Sequence, residues 1–383
     1  MEEEEGIILR NDWFLNFFGH ILEKNDDDEK AVLDSQSLIN LMKPLILAAS
    51  GETKKNIYKH SRKVIEALLE DRASNFYKHF VIIFIPENKI DFIDRNFITK
   101  VRENLGKNVK FTVFKNPTND EELEGVNNWA REGGWNDDEG VFIQNIPTTK
   151  YTFYAKSIFY NEWKYKFLKE ETHMGYFYIG PNAFILVPTM KNYGINIRRM
   201  DITFNQLKCW VYRIPYKKRQ CSMYIILPKR FASFQGLSDN IISFEETHDI
   251  INLMNRKGKY KYFKSITMPK FKHEKKYNLF EAFARTPECK PFTRGEGGLI
   301  HLNNMFTPGN LDIISKVNYQ TDICIENDEW GTKVESKSEA LFSDGVGGNE
   351  LKINKPFVYC ICDEKLKKIL CTGIYTGRDD FNF

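Results

Sequence analysis

Residues 329–357 read EWGTKVESKSEALFSDGVGGNELKINKPF, opening on a Gly331-Thr332 corner and running into the strand signal Ile353-Asn354-Lys355-Pro356-Phe357-Val358-Tyr359. Between them lie about twenty residues with few large apolar anchors, and a loop of that length inside a compact domain usually carries function. Its first half alternates, with Thr332, Val334, Ser336 and Ser338 on one side and Lys333, Glu335, Lys337 and Glu339 on the other. This is the period of a strand with one small or neutral face and one charged face. A helix would set Lys333 beside Lys337 and Glu335 beside Glu339, like charges at i, i+4 that disfavour it. The spacing predicts a segment able to be a strand but held outside its sheet.

This arrangement resembles the hinge and reactive-centre loop of the serpins, the serine protease inhibitor superfamily. Glu329, Gly331 and Thr332 match the family hinge, the distance from Gly331 to Pro356 matches the loop of inhibitory members, and INKPFVYCI (353–361) resembles the C-terminal signature. Other blocks resemble the family in the same order along the chain. Val126-Asn127-Asn128-Trp129 is similar to the helix that crosses the sheet face, and Tyr151–Phe167 to the strand that ends in a tryptophan, here Trp163. Trp210–Tyr216, a basic turn and Ser222–Pro228 are similar to a hairpin of the second sheet, and Ile266–Lys272 to a further block. The resemblance implies an α+β fold with a large central mixed sheet, two further sheets, about eight or nine helices and an exposed loop. It makes residues 1–383 one domain, with the loop at approximately 329–352.

The resemblance also implies site residues. The hinge comprises Glu329, Gly331, Thr332, Val334, Ser336 and Ser338. Counting along the loop places the reactive bond at Gly345–Val346, but glycine offers no side chain to a specificity pocket, so Leu341, Phe342 and Ser343 stand as alternatives. Where the family opens its sheet, this chain has Asp34, Ser37, Lys156 and Thr321. Asp34 stands where serine is usual, Lys156 where asparagine is usual and Thr321 where histidine is usual. A buried unpaired lysine is expensive, so Lys156 is expected either to pair with Asp34 or to reach solvent. The implied activity is suicide inhibition of a serine-type endopeptidase. A non-inhibitory binding or chaperone module and an inhibitor of papain-like cysteine proteases are the alternatives. Val334-Glu335-Ser336-Lys337, in place of the small residues usual in inhibitory hinges, favours the non-inhibitory reading.

Composition narrows the rest. The 383 residues are 42% hydrophobic with thirty phenylalanines, enough for a large core, and the net charge is only +3 with both signs mixed along the chain. That balance gives no general argument for nucleic acid or membrane. The Lys217-Lys218-Arg219 run reads as a solvated hairpin tip. The seven cysteines (Cys209, Cys221, Cys289, Cys324, Cys360, Cys362, Cys371) are odd in number and scattered, as expected of buried free thiols in a reducing compartment. The start MEEEEGIILRNDW is acidic and lacks the apolar segment of a secretion signal, so the expected address is cytoplasmic, with a leaderless route to the extracellular space as the alternative. A monomer is expected.

No enzyme motif accompanies these features: there is no Gly-x-Ser-x-Gly elbow, His-Glu-x-x-His pair or phosphate-binding loop. Cys360 and Cys362 fall on opposite faces of a strand, poor geometry for one zinc. No catalytic residue, cofactor or metal is therefore expected. Helical spacing of Trp13, Phe14, Phe17, Phe18, Ile21 and Leu22 predicts a first helix over 11–24. A second is expected from about Asp34, with Pro44 kinking it.

Overall fold

The computed structural model describes residues 2–23, 31–71, 74–114, 120–133, 151–159, 161–218, 220–242, 247, 249–293, 300–309, 317–332 and 349–377. Seven strands form a central mixed sheet. Val109–Phe114, Tyr77–Pro86, Thr152–Phe159 and Asn318–Asn327 follow one another, and Phe271–Asn278 flanks the last of them. The short strands Gly331–Thr332 and Asn161–Glu162 complete the sheet at one end.

The pairing of the two inner strands is incomplete. Thr152–Phe159 and Asn318–Asn327 run parallel and share a ladder from Thr152↔Asn318 to Lys156↔Asp322. Beyond it, the facing edges of 157–159 and 323–326 have no partner strand among the described residues, while their outer edges remain paired with Tyr77–Pro86 and Phe271–Asn278. At the open end Gly331–Thr332 enters antiparallel to both sides, with Thr332 opposite Asn327 and Asn161, and Gly331 opposite Glu162. Among the described residues the sheet therefore contains a slot, with Gly331–Thr332 at its mouth.

The two further sheets are halves of one nine-stranded ladder, joined through the 21-residue strand Phe184–Phe204. That strand pairs with Leu168–Tyr178 and Lys259–Pro269 along its first part and with Leu207–Pro215 at its end. Cys221–Pro228 and Phe357–Asp363 lie side by side in this ladder and are buried at every position. Both read as continuous apolar runs, as strands covered on both faces do.

Helices cover the sheets where the sequence supplies an apolar stripe. Asp120–Glu132 sets Val126 and Ala130 against Phe80, Ile82, Phe84 and Tyr154, and Trp129 meets Phe80 edge-on at 5.9 Å. The first helix runs over Glu2–Leu22, longer at its start than the apolar spacing predicts. Its Phe14, Phe17 and Phe18 are fully buried. Ser35–Ala48 continues helical through Pro44.

Beneath this helix three cations, Arg10, Lys43 and Lys368, converge on Asp71. Lys368 Nζ lies 2.7 Å from Asp71 Oδ2, Arg10 Nε lies 3.3 Å from Asp71 Oδ1, and Lys43 Nζ donates to the Asp71 carbonyl at 2.7 Å. Burial pushes the Lys43 ammonium down to about 8; Asp71 opposes the shift, and Lys368 and Arg10 add to it. A lysine whose folded pKa is lowered costs stability while it is charged. Below about pH 8 the cost is complete, and it is relieved as pH rises from about 8 towards the ordinary 10.5, because there the unfolded chain binds the extra proton. Lys43→Met is accordingly expected to raise stability at pH 7 by about 1–2 kcal/mol, after subtracting the lost hydrogen bond. It should also flatten the rise in stability between pH 8 and pH 10 that is expected of the unaltered chain, both being read by urea titration. A variant less stable than its parent at pH 7 would rule this out.

Candidate functional site

The corner at residues 328–332 is fixed by its own backbone. Asp328 Oδ1 accepts the N–H groups of Trp330 (2.9 Å) and Gly331 (3.1 Å), and Asp328 N–H donates to Gly331 O at 2.9 Å, closing a tight turn. That turn folds Gly331 and Thr332 back into the sheet. Trp163 N–H donates to Trp330 O at 2.8 Å, its indole Nε1 donates to Asp328 O at 3.0 Å, and Phe167 N–H donates to Glu329 O at 2.9 Å. The Thr332 hydroxyl, 1% exposed, shares a 2.6 Å hydrogen bond with Tyr216, whose ring stacks on Trp163 at 4.5 Å. Gly331 is required by close approach: a Cβ there would lie 2.2 Å from Asn161 O and 2.6 Å from Glu162 Cα.

Glu329 anchors the corner from the opposite side. Its carboxylate pairs with Lys270 Nζ at 3.1 Å and accepts from Thr172 Oγ1 at 2.8 Å. Burial alone would raise its pKa, but hydrogen bonds from its own backbone, Thr172 and Lys270 hold it below the ordinary carboxylate value. The neighbouring Asp328 goes the other way: burial raises it, and the N–H groups of Trp330 and Gly331 offset only part of the rise. Glu329 therefore stays charged for Lys270, whereas Asp328 acts through its turn.

A second polar cluster joins the helix beneath the sheet to the wall of the slot. Asp34 caps helix Ser35–Ala48, accepting from Gln36 N–H at 2.9 Å and Ser37 N–H at 3.0 Å. The same carboxylate accepts short hydrogen bonds from the hydroxyls of Ser37 and Ser157, which lie 2.7 Å from each other. Ser157 stands on Thr152–Phe159 where the ladder to Asn318–Asn327 has just ended. One buried carboxylate thus ties the floor of the sheet to the edge of the slot.

A profile of the family described as "Serpin (serine protease inhibitor)" matches residues 30–376. The chain is a serpin. It is 26% identical to Iripin-3 of Ixodes ricinus over 255 residues, 66% of this chain and 61% of that protein. It is also 26% identical to the probable serine proteinase inhibitor 1 of Swinepox virus over 257 residues, 66% of this chain and 70% of the viral one. Among solved structures, the highly specific Serpin48 of the insect Tenebrio molitor superposes with a TM-score of 0.76 at 16% identity, covering 99% of this chain and 100% of that one. Human thyroxine-binding globulin in complex with its hormone gives 0.77 at 13% identity, covering 98% of each chain. At such identities these two structures speak for the fold alone.

In this serpin the residues singled out from sequence fall into three groups. Glu329, Gly331 and Thr332 meet at the mouth of the slot. Val334, Ser336, Ser338, Leu341, Phe342, Ser343, Gly345 and Val346 lie outside the described residues. Of the third group, Asp34 and Ser37 share the cluster just described, but the strand residue that reaches them is Ser157. Lys156, its predecessor, points to the opposite face and is 6% exposed, so it neither joins Asp34 nor stands in solvent. Thr321 is 1% exposed, and its hydroxyl has no hydrogen-bond partner among the described residues. Alternation along Phe153, Ala155, Ser157 and Phe159 was the available signal: these face the main core, whereas Tyr154 faces helix Asp120–Glu132. No local signal marked Lys270, Thr172 or Tyr216 as hinge partners, because their contacts are set by strand order. The Lys217-Lys218-Arg219 tip is partly engaged as well, Lys217 pairing with Glu162 at 3.0 Å beside Gly331.

Within the described residues, no group of three or more His, Cys, Asp or Glu side chains could hold a metal ion. Among them no helix is long and apolar enough to cross a membrane. Six of the seven cysteines are free and buried, and burial pushes the thiols of Cys209, Cys221, Cys289, Cys360, Cys362 and Cys371 up, away from nucleophilic chemistry.

Proposed function

We propose that this serpin is a suicide-substrate inhibitor of a serine-type endopeptidase and not itself an enzyme. The observation that carries the reading is the slot between two parallel strands, whose mouth already holds Gly331 and Thr332 in the antiparallel sense. The serine hydroxyl of the target adds to a carbonyl near the loop's tip, the peptide bond breaks, and the new amino terminus leaves while the upstream segment stays esterified to the protease. That segment is then free to extend from Thr332 into the slot. Thr332 points inward to Tyr216, so Val334, Ser336 and Ser338 follow it on the inner face by strand parity and the charged residues between them meet solvent. Insertion before hydrolysis leaves the protease covalently bound.

The test is incubation of the full chain with trypsin-like, chymotrypsin-like and papain-like proteases, followed by denaturing electrophoresis. A band of the summed mass that survives denaturant with a serine protease is the expected result. Such a band with the papain-like enzyme alone would move the target to cysteine proteases. Complete cleavage with no such band would favour a non-inhibitory scaffold. That second reading rests on Val334-Glu335-Ser336-Lys337, which brings two charges and a branched side chain where insertion needs to be quick. Thyroxine-binding globulin shows that the same fold accommodates a bound small molecule.

A further inference from the structure

The hairpin formed by Leu168–Tyr178 and the start of Phe184–Phe204 has two apolar faces, of which the fold uses one. Phe177 and Val187 point inward, Phe177 meeting the Tyr375 ring at 5.1 Å. On the outer face the register places Met174 opposite Pro188, Tyr176 opposite Leu186 and Tyr178 opposite Phe184. These side chains are bare: Met174, Phe184 and Leu186 are each 54% exposed, Tyr176 61%, Tyr178 42% and the adjoining Ile179 43%. They form one patch, with the Phe184 ring 4.7 Å from Tyr176 and 6.4 Å from Tyr178. From Met174 to Met190 the chain carries no charged residue. The exposed face of a one-sided antiparallel sheet is ordinarily polar.

We propose that two copies of the chain associate through this hairpin, face to face across a two-fold axis. The composition is that of an interface centre, with Tyr, Phe and Met in place of charge. Across a two-fold axis a patch meets itself, so a charged centre would be repelled, whereas an uncharged one is self-compatible. The six exposed side chains offer roughly 600 Å² per copy, and with a polar rim this approaches the roughly 800 Å² per partner of a stable dimer. The rim also argues against a lipid surface. Two lysines flanking the hairpin already have acidic partners, Lys191 with Glu171 at 3.8 Å and Lys270 with Glu329 at 3.1 Å, which weakens the attraction to anionic headgroups. This association differs from the monomer expected from sequence and does not depend on whether the loop inhibits a protease.

Sedimentation equilibrium of the full chain tests it. The expected result is reversible dimerisation at twice the chain mass, weakened at least about a hundredfold by Tyr176→Glu with Leu186→Glu. Tyr260→Glu, at a position 66% exposed on another strand of the same ladder, should leave the dimer intact. If the double variant fails to fold, amide hydrogen exchange of the unaltered chain decides: protection of 174–186 should rise with protein concentration. A monomer at every concentration, or a dimer that survives the double variant with exchange in the hairpin unaltered, would overturn the proposal. A monomer that co-floats with neutral phosphatidylcholine vesicles would overturn it in favour of a membrane.

Discussion

Nicking the loop between Leu341 and Gly348 with a promiscuous protease is expected to raise the thermal unfolding midpoint by about 10–20 °C. The size follows from the unfinished ladder. Above Lys156 and Asp322 an inserted strand gains hydrogen bonds on both sides where there were none, and below them it exchanges one ladder for two. The net gain is two ladders over the open part of the slot and one over the rest, roughly ten bonds at about 1 kcal/mol each. In a chain of 383 residues, 10 kcal/mol corresponds to a shift of that order. Calorimetry before and after nicking, with the cut mapped by mass spectrometry, checks it. An unmoved midpoint would mean that the segment after Thr332 does not enter the sheet, and the inhibitory reading would fall with it.

The second large effect is expected at Asp34. Asp34→Ala removes the cap of helix Ser35–Ala48, worth about 1–2 kcal/mol, and withdraws the acceptor from two buried hydroxyls. Ser37 and Ser157 keep each other as partners, so the further cost is about 1–2 kcal/mol and not twice the penalty of an isolated buried hydroxyl. The sum, about 3 kcal/mol, should appear as a lower denaturation midpoint with an unchanged dependence on urea. Asp34→Asn keeps an acceptor oxygen and should lose about a third as much. Equal losses in the two variants would mean that packing, and not the shared carboxylate, holds this corner together.

Local chemistry was legible before the structure, and lateral placement was not. Glu329, Gly331 and Thr332 could be recognised because turn and alternation are encoded within a few neighbouring residues. Lys270 could not, because it reaches Glu329 only through the packing of strands separated by 59 positions. At Lys156 a single residue decides: in a strand a shift of one reverses the face, so Ser157 and not Lys156 meets Asp34. The hairpin at 174–188 is illegible for another reason. A strand apolar on both sides reads as buried, and nothing local distinguishes a strand covered twice from one covered once.

The two seated residues of the hinge also bear on kinetics. Starting a strand between two others is ordinarily a nucleation problem, because several dihedral angles must be fixed before the first cross-strand bond rewards them. Here that step is complete in the intact chain, since Thr332 is held by Tyr216 and Gly331 is pressed against Asn161. In the proposed mechanism, what remains after cleavage is elongation, residue by residue, from a fixed end. The same contacts fix phase: a slip of one residue would turn Lys333, Glu335 and Lys337 towards the core. In that mechanism the corner at 328–332 acts as a primer, setting both the starting point and the reading frame of the inserted strand.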